Sequence, residues 1–183
     1  MYIYNRVPQK YLRPESDEII PEYLQEIYET ETYKLILDLR KGMIRKMALR
    51  AHNGKYVSAV NGGGSILLAN KDEIGGYEIF TLIPRGPEQG RGAIRTSGGY
   101  FLSATGGGGS TLNANKAYIG STLEEIFEII PLYPESIAIR TQNGHYLVAE
   151  EPSNLLLANR LAIGDWERFT IVPIYEKQGM FVM

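Results

Sequence analysis

"ALRAHNGKYVSAVNGGGSILLANKDEIG", residues 48–75, returns twice further along the same chain. It recurs as "AIRTSGGYFLSATGGGGSTLNANKAYIG", residues 93–120, and as "AIRTQNGHYLVAEEPSNLLLANRLAIG", residues 138–164. Each copy runs on into a similar apolar segment that ends in proline: "YEIFTLIP", "EEIFEIIP" and "WERFTIVP". The offset is 45 residues from first to second copy and 44 to 45 through the body of the third, dropping to 42 after a two-residue insertion near Thr122. Self-similarity at a fixed period decides the architecture before any single motif can.

Within a copy the pattern is strand-like. An alternating run leads to Asn53-Gly54, Gly98-Gly99 or Asn143-Gly144, dipeptides that favour a tight hairpin with positive φ at both positions. A second short run follows ("KYVSA", "YFLSA", "HYLVA"), then a glycine-rich connection, a third run ending in "AN", a turn ending in Ile-Gly, and a fourth run. The proline that closes the fourth run, at Pro84, Pro131 and Pro173, removes a backbone donor where a strand ends. Four strands cannot bury their own apolar face, so three such units must share one core. The expectation is an all-β chain, a β-trefoil of three four-stranded repeats. The trefoil covers residues 47–175 (repeats 47–91, 92–136 and 137–175), with an N-terminal extension at 1–46 and a tail at 176–183.

The extension is read as a short helix plus an extra strand. Pro21 suits the first turn of a helix over "PEYLQEIYET", with Leu24, Ile27 and Tyr28 on one face. "TYKLILDL", residues 32–39, alternates with Tyr33, Leu35, Leu37 and Leu39 on one side, which predicts a strand. It resembles the end of the first repeat, so it is expected to mimic a fourth strand, packing on the trefoil or pairing with another chain in a homo-oligomer.

Composition narrows the function classes. The chain has 183 residues, 44% apolar and 22% charged, with a formal net charge of −2 and no cysteine. That size and balance suit a folded domain with a proper core. Thiolate metal sites and cysteine nucleophiles are excluded. The acidic balance argues against nucleic acid as a partner. No apolar run approaches the roughly 20 residues a membrane span needs, and no secretory signal is visible, so the expectation is a cytoplasmic protein.

The chemistry-bearing motifs are few. The glycine runs lack the Gly-Lys-Ser/Thr and following helix of a phosphate loop, and read as loose hairpin loops, with a backbone anion nest as the alternative. His52 and His145 are not repeat-equivalent and read as exposed turn residues; no metal site and no cofactor is expected. No serine elbow occurs, and adjacent carboxylates such as Glu124-Glu125 point to opposite faces of a strand. The reading is therefore no enzyme.

Among the polar residues that recur in every copy are an Arg and an Asn. Arg50, Arg95 and Arg140 are read as stems laid over apolar surface, and Asn70, Asn115 and Asn159 as turn residues in the left-handed conformation. A basic residue follows each Asn, at Lys71, Lys116 and Arg160, which makes these three a candidate threefold ligand site. Tyr100 and Tyr118 are candidate aromatic platforms, because their equivalents Lys55 and Glu73 are polar and hence exposed. The single tryptophan, Trp166, is expected to be partly buried. The segment "PRGPEQGRG", residues 84–92, reads as an inter-repeat linker, or as the protruding loop of a protease inhibitor.

The hairpin "(A)xR…NG.Y", the "AN(K/R)" turn and the "IG.(W)E.F" lead-in to the last strand together resemble the fascin-like β-trefoil repeat, in all three copies. That resemblance implies a non-catalytic interaction module that binds a protein surface or an actin-like filament. The filament cross-linkers of that family carry several trefoils, whereas this chain has one. The alternative is a glycan-binding, lectin-like trefoil, although the ricin-type "QxW" signature is absent.

Overall fold

The computed structural model describes residues 6–8, 11–12, 21–86 and 89–175. The tail at 176–183 and the side chain of Leu24 lie outside the described residues. Two helices, α1 (Glu22–Gln25) and α2 (Glu31–Arg40), precede the repeats. The first repeat supplies β1 (Arg45–Arg50), β2 (Tyr56–Ala59), β3 (Leu67–Lys71) and β4 (Phe80–Pro84). The second supplies β5 (Arg91–Thr96), β6 (Phe101–Ala104), β7 (Ser110–Lys116) and β8 (Phe127–Leu132), and the third β9 (Ser136–Arg140), β10 (Tyr146–Glu150), β11 (Leu155–Arg160) and β12 (Thr170–Ile174).

The first and fourth strands of the repeats close a barrel, every pair antiparallel. β1 pairs with β4, β4 with β5, β5 with β8, β8 with β9, and β12 with β1. The bridge Ile137↔Phe169 completes the ring. The hairpins β2–β3, β6–β7 and β10–β11 meet through β3, β7 and β11 and cap one end. This is a β-trefoil. Its core is written in triplets: Phe80, Phe127 and Phe169 are buried at equivalent positions, as are Leu67, Leu112 and Leu156.

A third triplet is polar. Glu78, Glu125 and Glu167 are buried, and each accepts a hydrogen bond from the backbone N–H of Gly75, Gly120 or Gly164 at 2.7, 2.6 and 2.5 Å. Ser58 and Ser103 donate to the other carboxylate oxygen of Glu78 and Glu125. Buried carboxylates need such donors, so the Gly…Glu spacing ahead of the fourth strand is architecture. In the third copy Val148 replaces the serine, and Arg160 Nε stands 3.6 Å from Glu167 instead.

Several expectations need correcting. Residues 32–39 form a helix, not a strand. Thr30 caps α2 by accepting from Tyr33 N–H at 3.1 Å, and the buried set Thr32, Tyr33, Leu35, Ile36 and Leu39 follows the helical period. Leu37, placed on the buried side by the alternation, is only half-buried, whereas Ile36 is fully buried. The recurring asparagines do not take the left-handed conformation. They lie where each third strand carries one extra residue against its partner, as Asn70 does between Ala69↔Val57 and Lys71↔Tyr56. In the first hairpins positive φ occurs at Gly54, Gly99 and Gly144 but not at the residue before. Each is a four-residue turn closed by glycine, such as Gly54 N–H to Ala51 O.

Helix α2 packs against barrel strands β1, β4, β5, β8 and β12. Leu39 and Arg40 meet Gly92 and Gly90 at the β4–β5 link, the end remote from the hairpin cap. The helix therefore plugs the open barrel mouth, and it belongs to the same core cluster as the triplets. Val7 and Leu12 are buried there too, and Tyr11 O accepts from the hydroxyls of Tyr28 and Tyr33.

Burial, helped by the neighbouring Tyr28 hydroxyl, raises the Tyr33 hydroxyl well above its ordinary pKa of 10.0. The unfolded chain then loses this proton before the folded one does. Stability linked to Tyr33 is complete below pH 10 and is lost as pH climbs from there through the raised folded value. Denaturant melts of Tyr33→Phe are expected to show a shallower alkaline decline than the wild-type chain, with about 1 kcal/mol lost at neutral pH for the missing hydrogen bond. An unchanged alkaline slope would exclude Tyr33 as its source.

Candidate functional site

The glycine runs are interlocking parts, which corrects the loose-loop reading. The run of the first repeat docks on the first hairpin of the second: Gly62 O accepts from Thr96 Oγ1 at 2.7 Å and Gly98 N–H at 3.1 Å. The run of the second docks likewise on the third, where Gly107 O accepts from Asn143 N–H and Gly108 O from Asn143 Nδ2. Amides of the runs are already engaged: Gly64 N–H donates to Ala114 O and Gly109 N–H to Ala158 O. That leaves them turned to protein carbonyls and not to an anion.

The third junction closes the ring without glycines, and it uses side chains. Asn53 Nδ2 donates to Asn154 Oδ1 and to Ala69 O. His52 Nε2 lies 3.1 Å from Ala149 O, and its Nδ1 lies 3.3 Å from Glu151 Oε2. Its side chain is only 12% exposed, so the expectation of an exposed turn residue fails for His52. The imidazole stacks on the Trp166 indole with centroids 5.6 Å apart and an interplanar angle of 17°.

Beside this stack lies a cleft of about 630 Å³, between the first hairpin of the first repeat and the lead-in to β12. Arg50, His52, Glu135, Asp165, Trp166 and Arg168 line it. Trp166 keeps 37% of its surface exposed and is otherwise covered, the partial burial expected of it. Arg168 is pinned by a hydrogen bond from Nε to Ser136 Oγ, while Arg50 is exposed. The site combines one aromatic wall, its ring held by a neighbour, with cationic and anionic groups on the others. Such a wall suits a ligand with an apolar face and polar edges. An equivalent but smaller cleft, about 240 Å³, lies at the junction of the second and third repeats, with Arg91, Glu128 and Arg140. At the remaining junction Tyr77, the equivalent of Trp166, is 51% exposed.

The residues singled out by repetition do not assemble. Lys71 and Lys116 are exposed at the ends of separate strands, β3 and β7, and Lys71's neighbour Asp72 holds Lys55. Arg160 pairs with Glu150 and Glu167 and so stabilises its own repeat. Tyr100 lays its ring over Gly63, where an added Cβ would come within 2.5 Å of it. Tyr118 is 83% exposed. None of the five lines either cleft. Of the recurring Arg and Asn residues only Arg50 and Arg140 line these clefts, one each. Trp166 and His52 escaped the sequence because the copies differ there, Trp166 standing against Tyr77 and Glu124, and His52 against Ser97 and Gln142.

Among the described residues no group of three or more His, Asp or Glu is placed to hold a metal, and no helix is long and apolar enough to cross a membrane. No family model matches the chain, and no curated protein matches it. Among solved structures it is similar to ThreeFoil, a designed 3-fold symmetric protein, with a TM-score of 0.62 and 16% identity, covering 70% of this chain and 99% of that one. It is also similar to a GlcNAcα1-4Gal-releasing endo-β-galactosidase from Clostridium perfringens, with a TM-score of 0.59 and 9% identity. That match covers 72% of this chain and only 33% of the galactosidase. At such identities the likeness speaks for the fold alone.

Proposed function

We propose that this trefoil is a non-catalytic binding module whose ligand is a sugar, held in the cleft between the third and first repeats. The observation that carries the reading is the Trp166–His52 stack opening onto a polar cleft. A pyranose ring presents an apolar C–H face to an aromatic wall and hydroxyls to the groups around it. Arg50, Asp165, Glu135 and Arg168 supply donors and acceptors at those edges. The galactosidase likeness is compatible with a sugar-directed role, and the buried glutamates, bonded to backbone and serine, serve the fold instead of a reaction.

A protein or filament surface, the partner that the fascin-like resemblance implies, is the second reading. It is favoured by Tyr118 and Leu161, 83% and 78% exposed on the corresponding turns of the second and third repeats. Lys116 lies beside the first of them and is exposed as well.

A glycan array run beside actin co-sedimentation separates the two. Saturable sugar binding is expected, weakened about tenfold or more by Trp166→Ala and largely restored by Trp166→Tyr, the residue type the first repeat uses there. Sugar binding that survives Trp166→Ala, or co-sedimentation lost on Tyr118→Ala with a blank array, would overturn the cleft assignment.

A further inference from the structure

The three junctions share one frame, but among the described residues the one between the second and third repeats gathers more guanidinium groups than carboxylates. Glu128 is the acid of the group: its Oε2 accepts from Arg6 Nη2 at 3.1 Å and its Oε1 from Arg140 Nη1 at 3.4 Å. Arg91 stands directly across the strand pair from Glu128, is exposed, and makes no ion pair among the described residues. Arg40 of α2 also feels this carboxylate, which opposes the lowering of its pKa by burial. Among the described residues Glu128 thus pairs with two guanidinium groups, Arg6 and Arg140, while the exposed Arg91 faces it across the strand pair without an ion pair.

The arrangement belongs to this junction only. The positions of Glu128 and Arg91 hold Thr81 and Lys46 in the first repeat, and Thr170 and Ser136 in the third. Arg140 is also held in place. Its guanidinium lies between Glu128 and Gly144, where an added Cβ would stand 3.3 Å from Nη2. Its Nε is buried without an acceptor, yet 42% of its side chain stays exposed. Like charges gathered beside a cleft repel one another, and an anion seated among them removes that repulsion. Planar guanidinium groups with free N–H edges match tetrahedral oxyanions well.

We propose that this cleft of about 240 Å³ binds a small oxyanion, a sulfate or phosphate group, between Arg91 and Arg140 with the Gln142 amide at its rim. The site uses none of the residues of the sugar cleft, so it stands or falls separately from that reading.

The test is calorimetric titration of the full chain with sodium sulfate, and separately with sodium phosphate, in low-chloride buffer. A single saturable site is expected, weakened about tenfold by Arg91→Ala and unchanged by Trp166→Ala. Because Arg91 is exposed and unpaired among the described residues, its variant is expected to melt with the wild-type chain. A sulfated disaccharide that outbinds inorganic sulfate, with its unsulfated counterpart silent, identifies a sulfate ester as the source. Tighter binding of inorganic phosphate than of either identifies the free ion. Heats no greater than those of sodium chloride at equal ionic strength, or an affinity that Arg91→Ala leaves unaltered, overturn the proposal.

Discussion

A chain that begins at residue 42 is expected to lose cooperative folding, although it retains all three repeats. Helix α2 fills the barrel mouth with Tyr33, Leu35, Ile36 and Leu39, all buried, and Ile27 and Leu12 are buried in the same cluster. Removing them exposes the ends of β4, β5 and β12 to water and leaves the fourth-strand triplets with one open side. Point substitution gives the graded version of the same result. Ile36 is 0% exposed, so Ile36→Ala leaves a cavity inside the core cluster. Such substitutions cost about 2–5 kcal/mol, which in a domain of this size lowers the melting temperature by roughly 5–15 °C. Lys34→Ala, on the exposed side of the same helix, is expected to shift it by less than about 2 °C. Thermal melts followed by circular dichroism check both. If the truncated chain melted sharply near the full-length temperature, the helix would be an appendage and the barrel self-sufficient.

That helix also marks the limit of what the sequence shows. The repeated apolar core was legible, because a buried position that recurs in each copy identifies itself: Phe80 by Phe127, Leu67 by Leu112. Residues 32–39 have no second copy to check them. Leu35 and Leu39 sit four apart, a spacing that satisfies both the strand period and the helix period, so the apolar pattern alone could not arbitrate. The capping threonine and the run of good helix formers tipped the balance.

The candidate cleft was hidden for the opposite reason. Attention to what recurs leads to Lys71, Lys116 and Arg160, yet the third of these substitutes for a serine lost at Val148. The cleft proposed as a ligand site lies instead where one copy departs from the others, and His52 meets Trp166 only because the ring closes the first repeat on the third.

Gly98→Ala is expected to be among the most damaging single-methyl additions in the protein. Its own backbone is ordinary, with no left-handed φ to forbid a side chain. The obstacle is space: a Cβ at 98 would lie 2.2 Å from Gly62 O and 3.0 Å from Gly62 C, both backbone atoms of the preceding repeat. No rotamer relieves that contact, so the junction must open and give up the bonds from Thr96 Oγ1 and Gly98 N–H to the same carbonyl. Overpacking of this kind costs about 3 kcal/mol or more, roughly 6–12 °C in melting temperature. Gly54→Ala separates space from conformation. Gly54 has φ +81 and nothing within 4 Å of its Cβ direction, so it carries only the left-handed penalty, about 1–2 kcal/mol. If the repeats are locked through their glycine runs, the glycine with the unremarkable backbone is the costlier one to replace. Equal melts for the two variants would mean that the run yields, and that the interlock at the first junction contributes little to holding the trefoil closed.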